Sequence, residues 1–342
     1  MFDKCILHIG TEKTGTTSIQ AFLSENRDAL LEQGYYVPLT MGPREHVGLV
    51  HLFARSDQKF STRTTLGLHT VAKVEAHQKA LGPKIRAEMQ AQACAGRTLI
   101  ISAERFFTVL TDDSELTALK TFLYEFCREL DIVAYVRPQH EFAISMFSTN
   151  LKNGSRQKVI LQDLTQNKGM ARKCDYAGVL NFWEDHFPAA KFKVRKFGRS
   201  ELVNGDSVSD FSHVTGIRDQ GLIKPERRNE SLSWKAQLFT MKLNGQMDHI
   251  PKKMRSKNRA HIFRALEKHF SGTGIMPGRT ETRAFFEHFS ESNERLRKRY
   301  FSDSKTLFDV SFDKYPEENK KYKLTINDAF EIFAKILPDL KS

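Results

Sequence analysis

No run of about 18 consecutive apolar residues occurs in this chain, so no membrane-spanning helix is expected. Cysteine is scarce. Cys5, Cys94, Cys127 and Cys174 show no C-x-x-C pairing and no metal-ligand spacing, which argues against a disulfide scaffold and a cysteine-built zinc site. They suit the reduced thiols of a cytoplasmic protein. Repeats and low-complexity tracts are missing, which argues against a solenoid or a long disordered region. Met1-Phe2-Asp3 leads straight into an apolar run, and neither signal peptide nor anchor is expected before it. Acidic residues are in deficit. There are 53 Lys+Arg against 41 Asp+Glu, a net charge of +12, and residues 218–300 alone hold 19 basic against 9 acidic side chains. Such an excess points to an anionic ligand (nucleotide, acidic polysaccharide, nucleic acid or membrane surface) or to a solvated basic face.

What is present suffices for a substantial core: 342 residues, 40% hydrophobic, with 26 Phe, enough for one large or two small domains. The chain is organised around Lys4–Ser18. Cys5 to Ile9 is a short apolar run suited to a buried parallel strand. Gly10 and Gly15 bracket four residues, the glycine spacing of a phosphate-cradling loop. Thr16, Thr17 and Ser18 open a helix, whose unpaired N–H groups and dipole favour an anion. The nucleoside-triphosphatase pattern, G-x-x-x-x-G-K-[ST], is not met. The slot after Gly15 holds Thr16, and the lysine has moved back to Lys13. A backbone nest for one phosphate survives. The lysine no longer grips a β/γ-phosphate pair and can instead reach what is attached to the phosphate. A plain Gly/Thr-rich turn is the alternative reading.

Strands and helices then alternate. Ile19, Phe22 and Leu23 mark a helical face, and Asn26 is expected to cap a second short helix ended by Gly34. Tyr35–Pro38 reads as a short strand, 40–70 as loop with His46, His51 and His69, and 71–93 as helix. Arg97–Ser102 is a second buried strand, leading to Glu104. Helix over Ser114–Glu129, strand over Asp131–Val136, helix through Phe147, helix over Tyr176–Phe187 and strand over Phe192–Phe197 follow. Beyond about Gly221 only helices are expected, around Leu232–Leu243, Phe285–Tyr300 and Ile326–Phe333. The predicted fold is α/β, a P-loop-type, mainly parallel β-sheet flanked by helices with a mostly helical C-terminal part. The expected division is a core over 1–217 and a helical extension over 218–342.

Arg137 stands at the C-terminal end of a predicted strand, where ligands bind in open parallel sheets. Pro138 keeps it extended and starts the next helix. Ser145 follows eight residues later. An arginine at a strand end with a helix hydroxyl can fork a second phosphate, so two separated phosphates on one nucleotide are expected.

The pairing of Gly-Thr-Glu-Lys-Thr-Gly-Thr-Thr with Tyr-Val-Arg-Pro and the downstream serine resembles the sulfotransferases that use 3′-phosphoadenosine 5′-phosphosulfate (PAPS). Asn229-Glu230-Ser231-Leu232 and Ser292-Asn293-Glu294-Arg295 are similar to bacterial carbohydrate sulfotransferases. The resemblance implies that the loop from Thr11 through Lys13 and Thr14 to Gly15, Thr16, Thr17 and Ser18 binds the 5′-phosphosulfate, with Lys13 on the sulfuryl side. It implies that Arg137 and Ser145 bind the 3′-phosphate, that the product is 3′,5′-ADP, and that the acceptor is a hydroxyl of a sugar-containing or other molecule. No metal and no nucleic-acid partner are expected. The downstream Arg-Lys-Gly segment of small-molecule-type members is absent, leaving Arg227, Arg228 and Asn229 as candidates to complete the pocket. Glu104, after the second strand, is the first choice of acceptor base. His46 and His51 are alternatives, while His8, inside a strand, reads as a core residue. Two other classes compete: a P-loop kinase or nucleotide hydrolase, disfavoured by Thr16, and a polyanion- or RNA-binding protein using the basic run Lys252–Arg259, which lacks interleaved aromatics for stacking.

Overall fold

A computed structural model of the chain describes residues 1–225, 231–249 and 252–340, with the side chains of 248 and 252–258 left aside. In chain order the elements are β1 (Phe2–Gly10), α1 (Thr16–Glu25), α2 (Arg27–Glu32), β2 (Tyr35–Tyr36), α3 (Val47–Phe53), α4 (Ser61–Thr65), α5 (Val71–Gln92), β3 (Thr98–Ser102), α6 (Arg105–Val109), α7 (Asp113–Phe126), β4 (Cys127–Val136), α8 (Gln139–Lys152), α9 (Lys168–Cys174), α10 (Tyr176–His186), β5 (Lys191–Lys196) and α11 (Ser207–Thr215). Then come α12 (Trp234–Gln246), α13 (Lys252–His269), α14 (Arg279–Glu287), α15 (Ser290–Tyr300) and α16 (Ile326–Ile336). The fold is α/β. One five-stranded sheet has the order β2-β3-β1-β4-β5, and every adjacent pair is parallel.

The chain falls into two compact units, residues 1–137 with 175–227, and residues 138–174 with 228–342. The first holds the sheet. Ile6, Ile100, Val133 and Tyr135 face α1, α2 and α11, packing on Ile19, Phe22, Leu30, Val208 and Phe211. By the two-residue alternation of strands, Leu7, Leu99, Ile101 and Ile132 point to the opposite face and are equally buried. Burial on both faces explains why the central stretches of these strands read as largely apolar runs. Register matters most at the C-terminal ends. His8 lies opposite Ser102 and Gly10 opposite Ala134, so the residues that follow β1, β3 and β4 emerge at one level of the sheet.

The second unit consists of α8, α9 and α12 to α16. One cluster gathers Phe142, Met146, Phe147, Leu151, Phe285 and Phe289, and another gathers Leu232, Ala236, Phe263, Leu266, Ile332 and Ile336. A single boundary after residue 217 is the expectation from sequence. The units instead exchange chain at 137/138, 174/175 and 227/228, so residues 138–174 join the C-terminal helices. Among the described residues, no helix is long and apolar enough to cross a membrane.

Several local expectations are corrected. Residues 40–70 contain two short helices, α3 and α4, rather than loop alone. Asn26 precedes α2 but makes no side-chain cap. Its amide donates to the carbonyls of Phe22 and Ile223 and accepts from the Ile223 N–H, tying a distant segment to α1. The expected helix over Phe285–Tyr300 is two, broken at His288–Phe289.

Candidate active site

The loop between β1 and α1 is fixed by its own hydroxyls. The Thr11 N–H and Oγ1 both donate to the Tyr135 carbonyl on β4, each at 3.0 Å. Thr14 Oγ1 donates to the Thr11 carbonyl at 2.5 Å. Both threonines are buried, so they shape the loop rather than offer hydroxyls to a ligand. Three residues take left-handed backbone: Gly10 (φ 110°), Lys13 (φ 65°) and Gly15 (φ 77°). A Cβ on Gly10 would press the Glu104 backbone at 3.0–3.1 Å, and one on Gly15 would meet the Ser207 side chain at 2.5 Å. Only glycine combines that backbone with that approach. Lys13 has no such exemption, and a non-glycine residue in this region is uncommon away from functional sites.

Gly15 precedes the first residue of α1, with no side-chain cap on the helix start. The first-turn N–H groups are therefore the kind of donors an anion can use. Thr16 is buried, Ser18 partly exposed and Thr17 exposed. The Thr16 hydroxyl donates to Glu104 Oε2, across to the strand beside β1.

Glu104 emerges two residues after β3 and immediately before α6. Burial, then the charge of Glu12, lift its carboxyl above the ordinary range. The Thr16 hydroxyl, Lys13 and Arg105 pull in the other direction. Glu45, which the sequence reading passed over, belongs to the same group. Its carboxylate lies 3.8 Å from Arg105 Nε. Burial and the neighbouring Glu104 push it up to about 7, Glu12 adding and Arg105 opposing. Two carboxylates in one shielded place resist ionising together.

On the other side of β1, Arg137 follows β4. Its guanidinium donates to the Lys13 carbonyl at 2.8 Å and lies 5.5 Å from the centre of the Phe197 ring. The loop is thus flanked by a carboxylate from one neighbouring strand and a guanidinium from the other. Ser145, expected beside Arg137, lies on α8 in the second unit. Arg227, Arg228 and Asn229 lie outside the described residues, as does most of the basic run Lys252–Arg259 at side-chain level. Asn293, within Ser292–Arg295, is buried and exchanges amide hydrogen bonds with Gln139 at 2.6 and 3.2 Å.

The histidines divide cleanly. His46 is buried; Nδ1 accepts from the Ser102 N–H at 2.9 Å, and Nε2 lies 3.2 Å from the Pro38 carbonyl. That pattern fixes the proton on Nε2 and leaves no lone pair for an acceptor. Burial, with Arg27 nearby, holds the ring down to about 4. His46 pins the 38–46 segment to the end of β3. His51 bonds Thr62 Oγ1 at 2.8 Å, and burial with His77 holds it down to about 4. His8 packs in the core against Tyr135 and Phe211, its Nδ1 2.8 Å from Ser102 Oγ.

No family model matches the chain. An uncharacterized protein of Archaeoglobus fulgidus is 25% identical over 252 residues, 71% of this chain and 66% of that protein, so the match spans slightly under two thirds of the relative. Among solved structures, a sulfotransferase from Alicyclobacillus acidocaldarius aligns with a TM-score of 0.39 at 14% identity, over 86% of this chain and 94% of that one. The sulfotransferase domain of the Synechococcus PCC 7002 olefin synthase aligns at 0.27 with 13% identity, over 98% and 94%. These likenesses are too distant to support a functional reading, which rests on the loop and its neighbours.

Proposed function

We propose that the chain is a PAPS-dependent sulfotransferase acting on a hydroxyl acceptor. The observation that carries this is the neighbourhood of one loop: an anion cradle with Lys13 on it, Thr16 in the triphosphate-lysine slot, and Thr16 bonded to a carboxylate of raised proton affinity. A phosphate on the loop suits the first-turn N–H groups of α1, whose start Gly15 leaves without a side-chain cap. PAPS supplies the sulfuryl group when bound.

Each residue then has a task. Glu104 takes the proton of the acceptor hydroxyl as the new S–O bond forms. Lys13 balances charge on the sulfuryl oxygens and on the bridging oxygen that leaves with 3′,5′-ADP. Arg137 binds the 3′-phosphate. Ser145 is assigned with it on the eight-residue spacing alone. Arg137 also holds the Lys13 carbonyl, which couples one end of the nucleotide to the residue acting at the other. His46 spends both ring nitrogens on backbone partners and so does not serve as the base. A sugar-bearing acceptor is favoured only by the resemblance of the segments around Ser231 and Asn293, Asn293 itself being committed to Gln139.

The direct test is transfer of labelled sulfate from PAPS to sugar-containing acceptors, with Glu104→Gln as control. Transfer lost in Glu104→Gln supports the assignment. Absence of transfer together with Mg²⁺-dependent ATP turnover would replace it with the kinase or hydrolase reading.

A further inference from the structure

Helix α16 buries one side and leaves another uncovered. Ile332 and Ile336 pack against Leu232, Phe263 and Leu266. Ile326, Phe330 and Phe333 on the helix, and Leu337 directly after its last residue, are respectively 75%, 68%, 47% and 40% exposed. At 100° per residue these four fall within a narrow stripe on the outer side of the helix. Isolated exposed apolar residues are ordinary, but a four-residue stripe with two phenylalanines is not.

We infer that the chain forms a twofold homodimer by pairing this stripe antiparallel with its copy. The spacing of the stripe is four, three, four, and so is symmetric about a point between Glu331 and Ile332. In an antiparallel pair about that point, Ile326 meets Leu337 of the other copy, and Phe330 meets Phe333. Each contact occurs twice, as an isologous interface requires. Two of the positions flanking the stripe follow the same symmetry. Ala329 mirrors Ala334, and both are small enough to let the helices approach closely. No charged residue lies within the stripe.

The area fits. Fully covering a phenylalanine buries about 150–250 Å², so the four side chains offer on the order of 500 Å² per copy and about 1,000 Å² for the pair, the size at which specific interfaces begin. A membrane surface suits the helix less well. Interfacial helices carry Lys and Arg on the polar side, whereas α16 carries Asp328, Glu331 and Lys335. Asp328 is engaged by Lys235 within the unit, and Lys335 lies over the Phe270 ring.

The test is sedimentation velocity on the full chain at micromolar concentration. Wild type is expected to sediment as a dimer. Phe330→Glu and Phe333→Glu each alter an exposed residue and are expected to halve the mass, with circular dichroism unchanged. Orientation is read in a Cys94→Ser background, because Cys94 is the exposed cysteine. A mixture of Ile326→Cys and Leu337→Cys chains should cross-link through a short thiol-specific reagent, and Ile326→Cys alone should not. A monomeric wild type, with or without vesicle binding, would overturn the proposal. So would a dimer that survives both glutamates, or one in which Ile326→Cys links to itself.

Discussion

The hydroxyl of Thr16 donates to the carboxylate of Glu104, and this bond joins the helix start after β1 to the end of β3. In a nucleoside triphosphatase this loop slot carries a lysine. Here the slot feeds a hydrogen bond to the proposed base and lowers that base's proton affinity against its burial. Thr16→Val should therefore raise the Glu104 pKa further. The acid limb of the kcat/KM profile should move to higher pH, and Thr16→Ser should restore it. An unmoved limb would show that the bond does not act on the base.

Glu104→Gln keeps the size and removes the basicity. Turnover is expected to fall roughly 10²–10⁴-fold, while 3′,5′-ADP affinity stays near wild type. The sign of the wild-type pH dependence follows from the raised carboxyl. The active form is deprotonated, so the rate rises with pH through a pKa above the ordinary carboxylate range. Retained activity in Glu104→Gln, measured at saturating PAPS, would remove it from the mechanism.

Glu45 makes a separate prediction in stability. Its folded pKa of about 7 stands above the ordinary 4.5, so folding favours the protonated form. That contribution is present below about pH 4.5 and lost as pH rises through about 7. Relative to wild type, Glu45→Gln should gain thermal stability between these limits as pH increases. Parallel curves of melting temperature against pH would contradict the assignment.

Lys13 should matter more to transfer than to product binding, because stabilisation confined to the transition state appears in turnover. Lys13→Ala is expected to depress single-turnover transfer severely with a small loss of 3′,5′-ADP affinity. Lys13→Gly separates backbone from side chain. It suits the left-handed φ of 65°, yet should be no more active than Lys13→Ala. Recovery of activity in Lys13→Gly would show that backbone strain, not the ammonium, was at issue.

The sheet was legible because its central strands β1, β3 and β4 are buried on both faces, so Cys5–Ile9 (His8 apart), Leu99–Ile101 and Ile132–Val136 are apolar. The loop was legible because left-handed backbone and close approach admit little but glycine at 10 and 15. Residues 40–70 were not, since α3 and α4 span seven and five residues and cannot display a helical period. Glu45 and the satisfied state of His46 were hidden for a related reason. Both depend on how that segment folds back on Ser102, a contact made far along the chain. The passage of residues 138–174 into the second unit left no mark either, because Pro138 reads as an ordinary helix start. Asn26 satisfied every local rule for a cap and was claimed by Ile223 instead.

Arg137→Ala should weaken 3′,5′-ADP more than 5′-AMP. A charge-assisted phosphate contact is worth about 1.5–3 kcal/mol, roughly tenfold to a hundredfold in affinity. Equal losses for the two nucleotides in titration calorimetry would place the arginine in loop support alone, through its bond to the Lys13 carbonyl.

The central claim is that the loop takes a nucleotide bearing a 3′-phosphate. It is tested most directly by thermal stabilisation of the wild-type chain with 3′,5′-ADP, ADP and ATP, each with and without Mg²⁺. At a concentration 100 times its dissociation constant, a ligand binding only the folded state adds about 2.7 kcal/mol. A clear rise in melting temperature is expected with 3′,5′-ADP, independent of Mg²⁺, and little with the other two. A rise with ATP that requires Mg²⁺, and none with 3′,5′-ADP, would contradict it.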